Sequence, residues 1–138
     1  MKKIYQTVLE ALKEGEIKHY FTNEEDGTVD FIMIGKDAQY QIHLRADEEQ
    51  ELLICMAVFP INVPQEKIPD MCMLLNQINN TNVITYLTVD PEEGLITCRY
   101  PCSVDEGAIN KKIVAVAMTN AVGCIEMHYE ELIKLIAG

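Results

Sequence analysis

Two short segments in the C-terminal half contain the side chains with the clearest potential for chemistry. Cys98 and Cys102 are four residues apart, and Cys124 and His128 repeat that spacing further along the chain. Thiolate and imidazole groups are preferred ligands of zinc, and residues four apart on a helix share one face. Cys98, Cys102, Cys124 and His128 are therefore the candidate ligands of a metal ion.

The same cysteines also fit a structural interpretation. Cys98 alternates with Ile96 and Tyr100, which predicts that its side chain points into the core. The sequence has no Cys-x2-Cys pair, and free cysteine is among the most buried residue types. We therefore expect buried cysteines beside a surface histidine, with no metal and no cofactor. Five cysteines are an odd number, which argues against a disulfide framework.

Motifs of common catalytic sites are missing from the sequence. It contains no G-x-S-x-G, no H-E-x-x-H, no P-loop and no G-x-G-x-x-G. Its carboxylates cluster in turns, where solvation keeps them ionised, and no loop follows the EF-hand pattern. We therefore expect a protein without enzymatic activity and without catalytic residues.

Composition and charge narrow the classes of partner. The chain has 138 residues, enough for one domain over residues 1–138, and its 22 acidic and 11 basic residues give a net charge of −11. A field of that sign repels phosphate backbones and anionic lipids, so we expect neither nucleic acid nor membrane as partner. The longest uncharged apolar runs, 52–61 and 113–125, are shorter than the roughly 20 residues of a membrane helix. A cytoplasmic location follows as an expectation.

Hydrophobic periodicity divides the chain into helices and strands. Ile4, Val8 and Leu12 repeat at helical spacing and predict a helix over residues 3–14, with Gly15 as its left-handed cap. Alternation of apolar and polar residues, bounded by turn signals, predicts the strands. Their expected ranges are 17–21, 28–34, 39–45, 52–59, 83–89 and 95–100.

Prolines mark the beginning of the second predicted helix, and a capping pattern marks the beginning of the third. Either helix two begins near Pro69, or its first turn after Pro64 is distorted, and Asn79 with Asn80 closes it. Residues 103–106 have the form of a capping box ahead of a long last helix. Gly123 lies inside that helix and costs about 1 kcal/mol relative to alanine, so any break is expected there.

The resulting order, α-β-β-β-β-α-β-β-α, predicts an α+β fold. Strands joined by short turns form antiparallel pairs, so we expect a sheet of about five to six strands with the helices packed on one face. In that arrangement the acidic turns at 24–27 and 46–51 lie at the same edge of the sheet.

The predicted strand at 52–59 is apolar at every position, so both of its faces should be covered. Helices can cover one face only. Ile54, Met56 and Val58 therefore form the candidate partner-binding surface on the other face. A second copy of the chain is the simplest occupant, because two-fold self-association is the commonest assembly. A bound peptide or client segment is the alternative.

Several helices and turns share local sequence features with a known protein family. They are the first helix with Gly15, the acidic turn before Phe31, Pro64 ahead of helix two, residues 74–79, and residues 87–94 leading into Arg99 and Tyr100. In these features the chain resembles the YbjN-like family of proposed bacterial sensory transduction regulators over nearly its whole length. The resemblance implies a fold like that of type III secretion chaperones, frequent dimerisation and no catalytic residues. The C-terminal cysteines are not part of it.

These observations support three hypotheses about function. The first is a non-enzymatic regulatory or adaptor module, a homodimer that binds a protein or peptide partner. The second is a chaperone-like binder of a client segment, acidic enough to hold a basic one. The third is a small metal- or ligand-binding protein that uses Cys98, Cys102, Cys124 and His128.

Overall fold

The secondary structure follows the predicted order, with one further break in the last helix. A computed structural model describes residues 2–104 and 109–138. In these ranges the helices are α1 (Lys3–Glu14), α2 (Ile68–Thr81), α3 (Lys111–Met127) and α4 (Tyr129–Ala137), with a short 3-10 turn at Gln65–Lys67. The strands are β1 (Tyr20–Asn23), β2 (Thr28–Ile34), β3 (Gln39–Asp47), β4 (Leu52–Val58), β5 (Tyr86–Val89) and β6 (Ile96–Ser103).

A single antiparallel sheet organises the described part of the chain. Its six strands have the order β1-β2-β3-β4-β6-β5, and each neighbouring pair is antiparallel. Helices α1 and α3 pack across β3, β4 and β6, while α2 packs on β5. The predicted α+β architecture, with the helices on one face of the sheet, is therefore confirmed.

The period of two along β3 and β4 separates the two faces of this sheet. The side chains of Tyr40, Ile42 and Leu44 are buried on one face, whereas Gln41 and Arg45 are exposed on the other. On β4, the residues on the core side, Leu53, Cys55 and Ala57, are fully buried. The small side chains of Cys55 and Ala57 let α3 lie close to the middle of the sheet.

Helix α1 has the predicted bounds, but its C-terminal cap differs from the prediction. The backbone N–H groups of Ile4 and Tyr5 donate to the Glu48 carboxylate, at 3.0 and 2.9 Å, from the turn between β3 and β4. At the other end, Gly15 has φ −78°, and Glu16 adopts the left-handed conformation with φ 60°. Ile17 N–H then donates to Leu12, which completes a Schellman-type cap one residue later than predicted.

The start of α2 combines the two alternatives left open by its prolines. Pro64 is extended and leads into the 3-10 turn, and α2 itself begins at Ile68. Pro69 therefore lies in the first helical turn, where the missing N–H costs nothing because those donors have no partner within the helix.

The long C-terminal helix begins and breaks at other residues than predicted. Ser103 ends β6, and the remainder of the predicted capping box, Asp105 and Glu106, lies outside the described residues. Instead, Asn110 caps α3, since its side-chain oxygen accepts from the Ile113 N–H at 3.0 Å. Gly123 stays helical, and the break between α3 and α4 falls at His128. No helix in the described ranges has the length and hydropathy needed to cross a membrane.

Candidate functional site

The face of the sheet opposite the helices, here called the open face, presents the predicted partner-binding residues. Ile54, Met56 and Val58 alternate along β4 with the fully buried core side chains. They are half-buried rather than exposed, because β3 and β6 flank β4 on both sides. On β2, two strands away, Ile32 and Ile34 are also apolar and are 63% and 78% exposed. The polar side chains that β3 presents on this face separate them from β4, so the open face has two apolar stripes.

The strand register aligns one row of side chains across the whole open face. The row runs through all six strands in the order Phe21, Asp30, His43, Met56, Arg99 and Tyr86. An aromatic ring therefore lies at each end, an acidic and a basic residue lie one strand further in, and Met56 is next to the centre. Phe21 is 82% exposed and Tyr86 40%.

Charged groups in this row are only partly neutralised within the chain. Asp30 Oδ1 lies 2.6 Å from His43 Nδ1, and both side chains are about one-third exposed. Arg99 donates from Nε to the Thr97 hydroxyl at 3.4 Å. Within the described ranges no carboxylate lies within 4.0 Å of the Arg99 guanidinium. Arg99 therefore has unused capacity for a carboxylate from another molecule.

The four predicted metal ligands do not come together as one site. Cys98 and Cys102 lie on the same side of β6, and four strand residues separate them by roughly 13 Å. Cys98 is fully buried and meets Cys124 on α3. His128 Nδ1 lies 3.2 Å from Glu131 Oε1, while its Nε2 is buried without a partner. In the part of the chain that the structure describes, no three His, Cys, Asp or Glu side chains are placed to hold a metal ion.

Two thiols of the chain instead form a close pair. The Cys98 and Cys124 side chains lie close together between β6 and α3, and the Thr85 side chain lies beside both. Asn82 Nδ2 donates to Cys124 Sγ at 3.3 Å. Interaction with these neighbours, Cys98 first, lowers the pKa of Cys124 even though burial opposes the shift. Interaction with Cys124, followed by burial, raises the pKa of Cys98.

The acidic turns lie together at one edge of the sheet, as their positions in the sequence suggest. Glu24, Glu25 and Asp26 line a cavity of about 330 Å³ with Asp47 and Glu48. Part of this charge has a structural role. Glu48 caps α1, and Asp47 Oδ2 accepts from Arg45 at 3.0 Å.

Two asparagines have roles beyond the helix termination that the sequence suggests. The Asn79 amide pairs with both backbone groups of Leu87, accepting from its N–H at 2.8 Å and donating to its carbonyl at 3.0 Å. It thereby covers part of the free edge of β5, which would otherwise be available for strand pairing. Asn82 bonds to Cys124. The clustering of asparagines is visible in the sequence, but their partners lie 8 and 42 residues away, which no local pattern reveals.

Comparisons with known proteins agree with this architecture. The chain is similar over 94% of its length to a chain in the structure of the HopA1–SchA chaperone–effector complex, with 20% identity, a TM-score of 0.61 and 93% of that chain covered. It is also similar to the crystal structure of YbjN, "a putative transcription regulator from E. coli", with 11% identity, a TM-score of 0.66, and 89% of this chain and 86% of that chain covered. At these identities the likeness shows a type III secretion chaperone-like fold alone.

Sequence comparison supplies the family itself. No curated protein matches the sequence. The model of the YbjN family, described as "Putative bacterial sensory transduction regulator", matches residues 5–134, nearly the whole chain. The resemblance noted in the sequence is therefore confirmed, and the chain belongs to the YbjN family.

Proposed function

We propose that this chain is a non-enzymatic adaptor that acts by binding a protein through the open face of its sheet. The observation that supports this most directly is the stripe of Ile54, Met56 and Val58, which no helix of the described chain covers. Each of these side chains gains roughly 1.5–3 kcal/mol on full burial, and at most about a third of that is still available because most of each side chain is already buried. Covering the stripe is therefore favourable for the protein.

Membership of the YbjN family supports a regulatory role and supplies no catalytic residues to carry over. One of the similar structures is a chaperone–effector complex, so its assembly depends on protein binding. This likeness supports a protein-binding role for the present chain as well, in keeping with a cytoplasmic regulator.

A second copy of the chain is the occupant that best fits the open face. In such a dimer the two open faces would meet across a two-fold axis that runs parallel to the strands, between β3 and β4. Then β1 would lie over β5 of the other copy, β2 over β6, and β3 over β4. Asp30 would then lie over Arg99 of the other copy, and Phe21 over Tyr86. At these two pairs of positions the contacts are self-complementary, as an isologous interface requires, and Met56 would lie over His43 of the other copy. Aligned packing of two sheets is also a common geometry.

A client segment is the alternative occupant, and it matches the chaperone-like hypothesis. The edge strand β1, which presents Phe21 on the open face, could accept an extended segment by strand addition. In that case the free chain would be a monomer.

Native mass spectrometry and light scattering over a concentration series distinguish these proposals. We expect the wild-type chain to be a dimer. A triple variant Ile54→Ala, Met56→Ala, Val58→Ala should weaken the dimer at least tenfold, because it truncates the centre of the interface in both copies. Circular dichroism would verify that each variant is folded.

The chain contains a matched control for this variant. Ile84, Met73 and Val83 are the same three residue types, and they are 54%, 63% and 95% exposed outside the open face. The triple variant Ile84→Ala, Met73→Ala, Val83→Ala should dimerise like the wild type. Equal dimerisation of the open-face variant would contradict the proposed surface. If the wild-type chain were a monomer, the proposed homodimer would be wrong, and a client segment would be the remaining candidate for the open face.

A further inference from the structure

The thiol pair between β6 and α3 has chemistry that the adaptor function does not use. Cys98 is fully buried on the core side of β6, and Cys124 is 8% exposed on the facing side of α3, which packs directly on β6. Of the other three cysteines, only Cys55 lies near the pair, diagonal to Cys98 on the neighbouring strand. Cys55 is fully buried on β4, Cys102 is half-buried, and Cys72 is exposed on α2.

Access to the pair from solvent is one-sided. Cys124 lines a surface cavity of about 320 Å³, together with Asn82, Thr85 and Met127, whereas Cys98 does not line it. Gly123 also borders this cavity, and a Cβ atom placed on it would meet no atom within 4 Å. A small reagent therefore reaches Cys124 through the cavity, and it reaches Cys98 only after Cys124.

The polar neighbours of the pair favour ionisation of the accessible sulfur. Asn82 Nδ2 donates to Cys124 Sγ at 3.3 Å, and the side chains of Cys98 and Thr85 lie beside that sulfur. His128 adds a favourable charge when it is protonated. Cys98 stays a thiol because its pKa is raised, while burial raises the pKa of Cys55 to about 12. Thiolate, rather than thiol, is the nucleophile in cysteine oxidation.

We propose that Cys124 is a peroxide-reactive site and that Cys98 resolves it into a Cys98–Cys124 disulfide. The Cys124 thiolate attacks one oxygen of a hydroperoxide, so an S–O bond forms, the O–O bond breaks, and the other oxygen leaves as water or an alcohol after protonation. Sulfur is oxidised by two electrons to the sulfenic acid, and the peroxide is reduced.

The second step needs no further reagent. The Cys98 sulfur attacks the Cys124 sulfur, an S–S bond forms, the S–O bond breaks, and the hydroxyl leaves as water with the proton of Cys98. In sum, two thiols and one hydroperoxide give one disulfide, one water and one water or alcohol. The product joins the sheet to α3 covalently on the side away from the open face.

The test treats the full-length reduced chain at neutral pH with one equivalent of hydrogen peroxide, followed by intact-mass measurement and peptide mapping without reductant. We expect a loss of 2 Da, the mass of two hydrogen atoms, and one cross-linked peptide that contains Cys98 and Cys124. The disulfide measurement needs no variant, so it is independent of any folding defect.

Variants separate the two roles. Cys98→Ser keeps a hydrogen-bond donor, so Cys124 should still oxidise but stop at the sulfenic acid and accumulate the dimedone adduct. Cys124→Ser should give neither adduct nor disulfide, and the control Cys72→Ser should behave like the wild type. In Cys98→Ser, dimedone should label Cys124 at least tenfold faster than the exposed Cys72. Faster labelling of Cys72 in that variant, or a wild-type disulfide that omits Cys98, would overturn the proposal.

Discussion

Two glycines of this chain should respond in opposite ways to the same substitution. Gly94 follows the turn after β5 and has φ +72°, and a Cβ atom there would lie 2.2 Å from the Val63 carbonyl oxygen. Gly123 lies on the exposed side of α3, where a Cβ atom would meet nothing within 4 Å. Alanine therefore introduces a clash at Gly94 and only better helix propensity at Gly123.

The size of the Gly94 effect follows from its contacts. An L-residue in the left-handed region costs about 1–2 kcal/mol. The 2.2 Å approach would also push the Val63 segment away and break the hydrogen bond from Val63 N–H to the Gly94 carbonyl, now 2.8 Å, at a cost of about 1–2 kcal/mol because Val63 is buried. Gly94→Ala should therefore lower the free energy of unfolding by about 2–4 kcal/mol.

Gly123→Ala should instead raise the free energy of unfolding by about 0.5–1 kcal/mol, because alanine restricts the unfolded chain and favours the helix. Urea titrations of the two variants and the wild type measure both changes. Thermal unfolding should show a decrease of roughly 6–14 °C in Tm for Gly94→Ala and an increase of roughly 2–4 °C for Gly123→Ala. If Gly94→Ala unfolded within 0.5 kcal/mol of the wild type, the tight approach of the two loops argued above would be wrong.

Two remaining predictions concern side chains that satisfy backbone groups of another element. Glu48→Ala should lower the free energy of unfolding by about 2–3 kcal/mol in a urea titration, because two N–H groups at the start of α1 lose a charged acceptor. The exposed neighbour Glu49 supplies the control, and equal losses from Glu49→Ala would contradict a capping role. Asn79→Leu should cost about 2–4 kcal/mol and accelerate hydrogen exchange at the Leu87 amide, since both backbone groups of Leu87 lose their partner. The exposed Asn80 should tolerate the same change, and unaltered exchange at Leu87 in the Asn79 variant would refute the edge-covering role.

Local patterns predicted most of the fold because each depends on neighbouring residues only. The period of 3.6 fixed α1 at its observed bounds, and the period of two assigned the buried side of β3 correctly, with Ile42 and Leu44 inward. The predictions that failed depended on chain geometry that one residue type does not determine. The left-handed residue at the end of α1 is Glu16 rather than Gly15. The last helix breaks at His128 rather than at Gly123.

Functional groups were harder to predict because they are assembled by tertiary contacts. The spacing of Cys98 and Cys102 suggested a shared ion, but a strand separates residues four apart by roughly 13 Å. The contact that does form, between Cys98 and Cys124, joins a strand to a helix 26 residues away along the chain. Helical spacing could not reveal it, since it depends on how α3 lies across β6.

The open face could be predicted from the sequence only in part. Its apolar residues were visible in the sequence because β4 lacks the polar alternation that β3 has, and Met56 replaces the polar residue expected there. The row through Met56 was not visible, since Asp30 and Arg99 come into line only through the register of three successive strand pairings. A sequence can therefore indicate an apolar stripe on a sheet face. The arrangement of charges around that stripe depends on strand order, which here places β6 rather than β5 beside β4.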